Sequence, residues 1–156
     1  IATSISSVVL QKASESYRLG RSFVDELKPL TAIVFIISVA EVLLIALAGK
    51  DIFRVFFGKI WETSGIISQL LVWPFALNFI TSSFTSLFVA LNKIRWQSIW
   101  QVVYFLLIIS LSLFQDFTFN GFIRIYASIE IVANLAMVVL LIIVVVGYEK
   151  KIKMVK

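Results

Sequence analysis

Four long apolar stretches determine what this 156-residue chain can fold into. They cover residues 30–48, 65–91, 97–114 and 122–147. A helix needs about 20 mostly apolar residues to cross a bilayer, whereas a strand of a membrane barrel alternates apolar with polar residues. Because the apolar runs are continuous, the sequence predicts an all-α protein: a polytopic transmembrane helix bundle with four full spans.

The composition narrows the possible functions. Hydrophobic residues make up 60% of the chain and charged residues 15%, against about 45–50% and about 25% in soluble domains. The sequence has no cysteine and no histidine, which excludes disulfides and thiolate metal sites and removes the commonest general base. It also lacks the hydrolase, phosphate-loop and zinc-protease motifs. We therefore expect no enzymatic activity, no metal and no cofactor.

The residues before the first apolar stretch predict a further helical segment. Ile1, Ile5, Val8 and Val9 recur at helical spacing. They form either an amphipathic surface helix or the end of a preceding span. Because the sequence starts at Ile1 and not at Met, we expect residues 1–156 to be a single transmembrane domain taken from a longer polypeptide.

The distribution of basic residues predicts the orientation in the membrane. With four spans, both termini lie on the same side of the bilayer. That side carries Lys12, Arg18, Arg21, Lys28, Lys93, Arg95, Lys150, Lys151, Lys153 and Lys156, and the other side carries Lys50, Arg54, Lys59 and Arg124. The positive-inside rule then puts both termini in the cytoplasm. The net charge of +5 thus indicates a basic cytoplasmic face and not a nucleic-acid partner.

The stretch "DIFRVFFGKIWETSG", residues 51–65, is too charged to span a bilayer and too apolar for an ordinary loop. Ile52, Phe53, Phe56 and Ile60 recur at spacings of three or four and make one apolar face. The pattern predicts a short interfacial helix on the outer side, packed across the ends of neighbouring spans. The alternative is a hydrophobic re-entry loop that anchors the bundle.

Two carboxylates fall inside predicted spans. Burying a charge in hydrocarbon costs at least about 2.5–3.5 kcal/mol, so Glu41 and Glu130 are candidates for function. Tyr126 and Asn134 lie four residues to either side of Glu130 and share its helix face. The two carboxylates either bind a proton or sodium ion in a cavity, or hydrogen-bond between helices. Arg124, near the outer end of the fourth span, either reaches the headgroups or lines a pore mouth.

Two polar stripes accompany these carboxylates. One comprises Pro74, Asn78, Ser82 and Thr85 in the second span, and the other Gln97, Gln101 and Tyr104 in the third. Such stripes serve either helix packing or cavity lining, and Pro74 should kink or loosen its helix. The candidate substrate- or ion-pathway residues are Glu41, Asn78, Gln101, Arg124, Glu130 and Asn134.

The motifs "FFGKIW" and "LNKIRWQ", with the order and spacing of the spans around them, resemble the C-terminal half of the polysaccharide flippases. That family exports O-antigen (lipopolysaccharide) and capsule repeat units, and it belongs to the multidrug/oligosaccharidyl-lipid/polysaccharide exporter superfamily. The resemblance covers about residues 11–147. It implies alternating access that carries an oligosaccharide, linked to an undecaprenyl-pyrophosphate-type lipid, from the cytoplasmic to the outer leaflet of a bacterial inner membrane.

The resemblance also implies which molecules the chain meets. Its partners would be the lipid bilayer, the lipid-linked oligosaccharide, a proton or sodium ion, and the remaining N-terminal helices of the same transporter. Four spans do not enclose a transport cavity alone. Two alternatives stay open: a drug/cation antiporter of the same superfamily, and a non-transporting scaffold subunit of a glycan-assembly complex. Because no nucleotide-binding motif occurs, transport would use an ion or substrate gradient.

The predicted topology can be tested by cysteine labelling, because the chain has no native cysteine. Single variants Ser14→Cys, Lys93→Cys and Lys151→Cys should resist a membrane-impermeant thiol reagent in intact cells. Thr63→Cys and Asn120→Cys should react. Labelling of Lys93→Cys from outside contradicts the orientation.

Overall fold

The computed structural model describes residues 1–113 and 118–155 and gives a helical protein without strands in these ranges. The helices are α1 Ala2–Arg18, α2 Val24–Phe57, α3 Glu62–Phe84, α4 Ser86–Ala90, α5 Ile94–Ser110 and α6 Phe119–Val155. Short 3-10 turns cover Lys59–Trp61 and Leu111–Leu113. The predicted all-α class and the N-terminal helical segment are confirmed.

Three helical segments are long and apolar enough to cross a membrane: Val24–Phe57, Lys59–Ala90 and Phe119–Met154. The helix predicted as a fourth full span, Ile94–Ser110, is a shorter apolar helix of 17 residues. The prediction of four full spans is therefore wrong within the described residues. The predicted end of that span, residue 114, lies outside them.

Exposed apolar side chains identify the bilayer as the solvent of this bundle. Only 11% of the most apolar window of α2 is buried against the rest of the protein. Phe35, Ile36 and Leu44 are 60%, 65% and 59% exposed. Water would not tolerate apolar surface on this scale, whereas lipid chains do. The chain is a membrane protein.

α2 is much longer than the predicted span at residues 30–48. Pro29 and Gly49, which flank the predicted span, both lie inside α2. The predicted interfacial helix is also wrong, because its first part continues α2 to Phe57. The chain then turns at Gly58, which has φ +96°, and the 3-10 turn Lys59–Trp61 leads into α3. Polar residues end a hydrophobic run, but they do not end a helix whose backbone hydrogen bonds can continue in water.

Within the predicted span at residues 65–91, α3 runs through Pro74 without a break. The boundary between α3 and α4 falls at Thr85, whose φ of −59° and ψ of −26° are still helical and whose backbone N–H donates to the Thr81 carbonyl. Pro74 is fully buried inside α3. Around this boundary, a run of hydroxyl side chains donates to carbonyls of the same helical segment. Ser82, Ser83 and Thr85 donate in this way, over 2.8–3.2 Å. Such back-bonding bends helices and weakens the backbone ladder.

One end of the bundle, which we call the basic end, gathers the turn between α1 and α2, the turn between α4 and α5, and the C-terminus of α6. The Tyr148 hydroxyl donates to the Arg21 carbonyl over 3.0 Å, and Ser22 donates to the Glu149 carboxylate over 2.9 Å. The buried hydrophobic cluster lies near this end, around Phe23 and Phe88. At the opposite end, Lys50 and Glu62 form a 2.7 Å ion pair between α2 and the start of α3.

The hairpin of α2 and α3 depends on two glycines. A Cβ placed on Gly65 would lie 2.6 Å from the Cα of Lys50 and 2.8 Å from the carbonyl oxygen of Gly49. A Cβ on Gly49 would lie 2.9 Å from Cγ of Gln69. Those distances are shorter than side-chain carbons adopt. Because lipid gives helices no hydrophobic reason to associate, close backbone packing at small residues contributes much of the association.

We predict that Gly65→Ala destabilises the fold by about 1–3 kcal/mol, because the clash is with backbone and α2 must move away from α3. The control is Gly147→Ala in α6, where an added Cβ meets nothing within 4 Å and helix propensity improves by up to about 1 kcal/mol. Unfolding in mixed micelles with increasing SDS measures both. Equal stability of the two variants would show that the α2–α3 crossing is not tight.

Candidate functional site

α3, α5 and α6 line a partly open cavity of about 220 Å³ that contains many polar side chains. Its polar side chains are Asn78, Thr81, Ser82, Thr85, Gln97, Gln101, Tyr104, Glu130 and Asn134. The polar stripes predicted on two separate spans therefore face the same space. We call it the polar cavity.

Glu130 is the ionisable group of the polar cavity, and its side chain is buried, with 6% exposed. The Tyr104 hydroxyl of α5 donates to its Oε1. Nδ2 of Asn134, one turn along α6, lies 3.4 Å from its Oε2. The Tyr126 hydroxyl lies within electrostatic reach of the same carboxyl. Among the described residues no lysine or arginine forms an ion pair with Glu130.

Asn134 connects this carboxyl to α3. The Thr81 hydroxyl donates to its Oδ1 over 2.9 Å, and its Nδ2 donates to the Glu130 carbonyl over 2.8 Å. Because Oδ1 accepts from Thr81, the amide must point its N–H groups toward Glu130. Thr81 is 3% exposed and Asn134 6%. Thr81, Asn134, Glu130 and Tyr104 thus form a continuous hydrogen-bonded chain across three helices, which we call the polar chain.

The sequence of α6 explains how the polar chain is positioned. Tyr126, Glu130 and Asn134 follow one another at intervals of four residues and so share one helix face. Ala127 and Ala133, which flank them, are 2% and 4% exposed. Small residues let helix backbones approach closely enough for short side chains to hydrogen-bond between helices. The same face therefore provides both the polar groups and the space to pair them.

The chemistry of the polar cavity suits a proton or a small cation. A carboxylate, an amide oxygen and hydroxyl oxygens are the donors that hard cations prefer. Every buried side-chain nitrogen and oxygen among the described residues already has a hydrogen-bond partner. No group of three or more acidic residues in the described part of the chain is arranged to hold a metal ion. Glu130 is thus a single acidic centre with neutral donors around it.

Four of the six predicted pathway residues line the polar cavity: Asn78, Gln101, Glu130 and Asn134. Glu41 and Arg124 do not, and both are exposed. Arg124 precedes Glu130 by six residues, which puts it roughly 240° away around the helix. Glu41 lies on α2, and α2 contributes no residue to the cavity.

Thr81 was absent from the sequence prediction. It follows Asn78 by three residues, so a search for polar pairs at i, i+3 would have found it. Tyr104 and Tyr126 lie on the predicted polar faces but are not among the predicted pathway residues. Their contact with Glu130 depends on how α5 and α6 are rotated toward each other, which spacing on a single helix does not determine.

Comparison of the chain with protein-family models, with curated proteins and with solved structures finds no match.

We predict that Thr81→Val destabilises the fold by about 0.6–1.7 kcal/mol, the range measured for hydrogen bonds between membrane helices. The substitution keeps the shape and removes the hydroxyl that donates to Asn134. Thr31→Val is the matched control, because the Thr31 hydroxyl donates to the Leu27 carbonyl of its own helix over 2.9 Å. SDS-induced unfolding measures the difference. Equal losses would mean that the polar chain contributes no net link between α3 and α6.

Proposed function

We propose that this chain is part of an ion-coupled transporter that flips lipid-linked oligosaccharide or polysaccharide repeat units by alternating access. The observation that carries the proposal is the buried carboxyl of Glu130 in a polar intramembrane cavity. Ionisable groups within membrane helices are expensive, and they mark ion paths and proton relays. The similarity of the motifs to polysaccharide flippases supplies the substrate class.

The small size of the polar cavity favours a coupling role over substrate binding. Its volume of about 220 Å³ is below the roughly 300–1,000 Å³ of pockets that hold drug-sized ligands. An oligosaccharide is larger still. In the proposal the polar cavity binds the proton or sodium ion, and the glycan passes along a path completed by further helices of the same transporter.

The polar chain offers a way for ion binding to change the structure. The ionised carboxylate of Glu130 accepts hydrogen bonds from Tyr104 on α5 and from Asn134 on α6. A proton or cation that neutralises the carboxylate weakens the hydrogen bonds that its two oxygens accept. It also removes the cost of holding a charge in apolar surroundings. Because Tyr104 links α5 to α6, neutralisation loosens the contact between these helices. Alternating access needs such a two-state contact.

The proposed setting is the bacterial inner (plasma) membrane, with several spans and with both termini in the cytoplasm. The basic end of the bundle includes the C-terminus of α6 and supports a cytoplasmic position for that terminus through the positive-inside rule. An anionic pyrophosphate linker would also be attracted to that end.

Two alternative functions are also consistent with the buried carboxyl of Glu130. A drug/cation antiporter of the same superfamily would use Glu130 for coupling and differ only in substrate. A scaffold subunit would use the polar chain to hold helices together, and the complete hydrogen bonding of the buried polar groups fits that role as well.

The coupling role is tested in the complete transporter, expressed in cells that lack their own repeat-unit flippase. Glu130→Gln should keep the fold, reduce surface glycan and flatten the pH dependence of transport, because an amide does not titrate. Glu41→Gln makes the same chemical change outside the polar cavity and should leave transport and its pH dependence unchanged. Activity is read from surface glycan and from flipping in vesicles at several pH values.

Tyr104→Phe gives an independent measure of the same coupling. It removes a hydrogen bond to a charged group, worth about 1.5–3 kcal/mol. Losing this link between α5 and α6 should lower surface glycan and flipping in vesicles, by less than Glu130→Gln does because the carboxyl itself remains.

Each alternative has its own outcome in these assays. Full flipping with unchanged pH dependence in both Glu130→Gln and Glu130→Leu excludes Glu130 from coupling and leaves the scaffold role. Rescue of drug resistance without rescue of surface glycan supports the antiporter instead.

A further inference from the structure

A second cavity, of about 510 Å³, lies at the basic end between α1, the turn joining α4 to α5, and α6. We call it the basic groove. Lys93 from the turn and Lys151 from α6 line it, together with Asn92. Among the described residues, none forms an ion pair with either ammonium group or a hydrogen bond with the Asn92 side chain. Within the described residues, the basic groove thus presents two ammonium groups without an ion-pair partner and an unpaired amide.

Aromatic residues place the basic groove at the level of the lipid headgroups. Trp96, Tyr17 and Tyr148 line it, and Trp and Tyr concentrate where hydrocarbon meets headgroups. The Tyr148 hydroxyl donates to the Arg21 carbonyl, and its ring stacks on Phe23 with centroids 5.4 Å apart. These contacts hold one wall of the groove in a fixed position.

The inner part of the basic groove is apolar. Leu140, Ile143 and Val144 line it, and all three belong to the membrane-spanning segment Phe119–Met154. Lys151 follows Val144 by seven residues, so it stands roughly 10 Å further along the helix axis. A phosphate at the lysines could therefore continue into an acyl chain against α6.

We propose that the basic groove binds an anionic phospholipid, whose phosphate contacts Lys93, Lys151 and Asn92 and whose acyl chain lies along Leu140, Ile143 and Val144. A free phosphate would contact the two lysines but would leave the apolar residues Leu140, Ile143 and Val144 uncovered. A zwitterionic lipid would cover these residues but leave net positive charge uncompensated. Basic pockets between membrane helices are suited to anionic headgroups. The proposal is independent of the transport function.

The test uses brominated lipids, since bromine on an acyl chain quenches tryptophan on contact. The chain contains four tryptophans, so the reporter is the variant that retains only Trp96, with Trp61, Trp73 and Trp100 changed to Phe. It is reconstituted in phosphatidylcholine with a small fraction of brominated phosphatidylglycerol or brominated phosphatidylcholine. The brominated phosphatidylglycerol should quench more strongly, and its dependence on mole fraction gives an apparent affinity.

Two double variants test where the lipid binds. Lys93→Gln with Lys151→Gln should weaken apparent affinity for phosphatidylglycerol about 30-fold, equivalent to roughly 1 kcal/mol for each lysine. Lys150→Gln with Lys153→Gln removes the same charge from the other face of α6, where both residues line a different cavity, and should keep most of the affinity. Circular dichroism and elution volume check that each variant is folded.

Three outcomes would overturn the proposal. Equal quenching by the two brominated lipids would mean that the basic groove does not select charge. Equal losses in the two double variants would mean that phosphatidylglycerol responds to the whole basic surface and not to this groove. Displacement by excess inorganic phosphate would mean that the site binds a free phosphate group and not a lipid. If the Trp96 reporter fails to fold, native mass spectrometry of the otherwise unchanged protein and the two double variants compares the same lipids.

Discussion

The hydrogen bonds that join Thr81, Asn134, Glu130 and Tyr104 are the interaction on which the arrangement of α3, α5 and α6 depends. In lipid, apolar side chains are as well solvated apart as together, so apolar contact alone gives these helices little reason to associate. A carboxyl and an amide within the membrane, by contrast, must find partners. The polar chain gives them partners, while the close approach of Gly49 and Gly65 joins α2 to α3.

Much of this could be predicted from sequence, and each failure has a physical reason. Continuous apolar runs determine the helical class, because the backbone must pair internally in hydrocarbon. Hydropathy describes where the bilayer ends, however, and not where a helix ends. α2 therefore continues through charged residues to Phe57, and Pro29 lies inside it.

Residues that line the polar cavity could be predicted where two polar groups on one helix define a polar face. They could not be predicted where the contact depends on how two helices are rotated toward each other. Glu130 has Tyr126 and Asn134 on its own face, so spacing alone defines a polar side of α6. Glu41 has the same chemistry but stands on a helix that is apolar nearly all round. The sequence therefore does not predict which side of α2 faces the neighbouring helices, and in the structure Glu41 lies outside the polar cavity. Equal chemistry thus has different consequences because α2 and α6 meet different neighbours.

Thr85 lies between the polar cavity and the basic end. Thr85 lines the cavity, and its hydroxyl donates to the Ser82 carbonyl over 3.2 Å. α4 begins just after this point, leads into the turn that carries Lys93, and packs with α1, α5 and α6. The Tyr104–Glu130 hydrogen bond joins α5 to α6, and neither α4 nor α1 takes part in it. In the proposed mechanism, neutralising Glu130 would therefore move α5 while α4 and α1 keep their packing. The basic end would then be the fixed part of the bundle and α5 the part that responds to the ion.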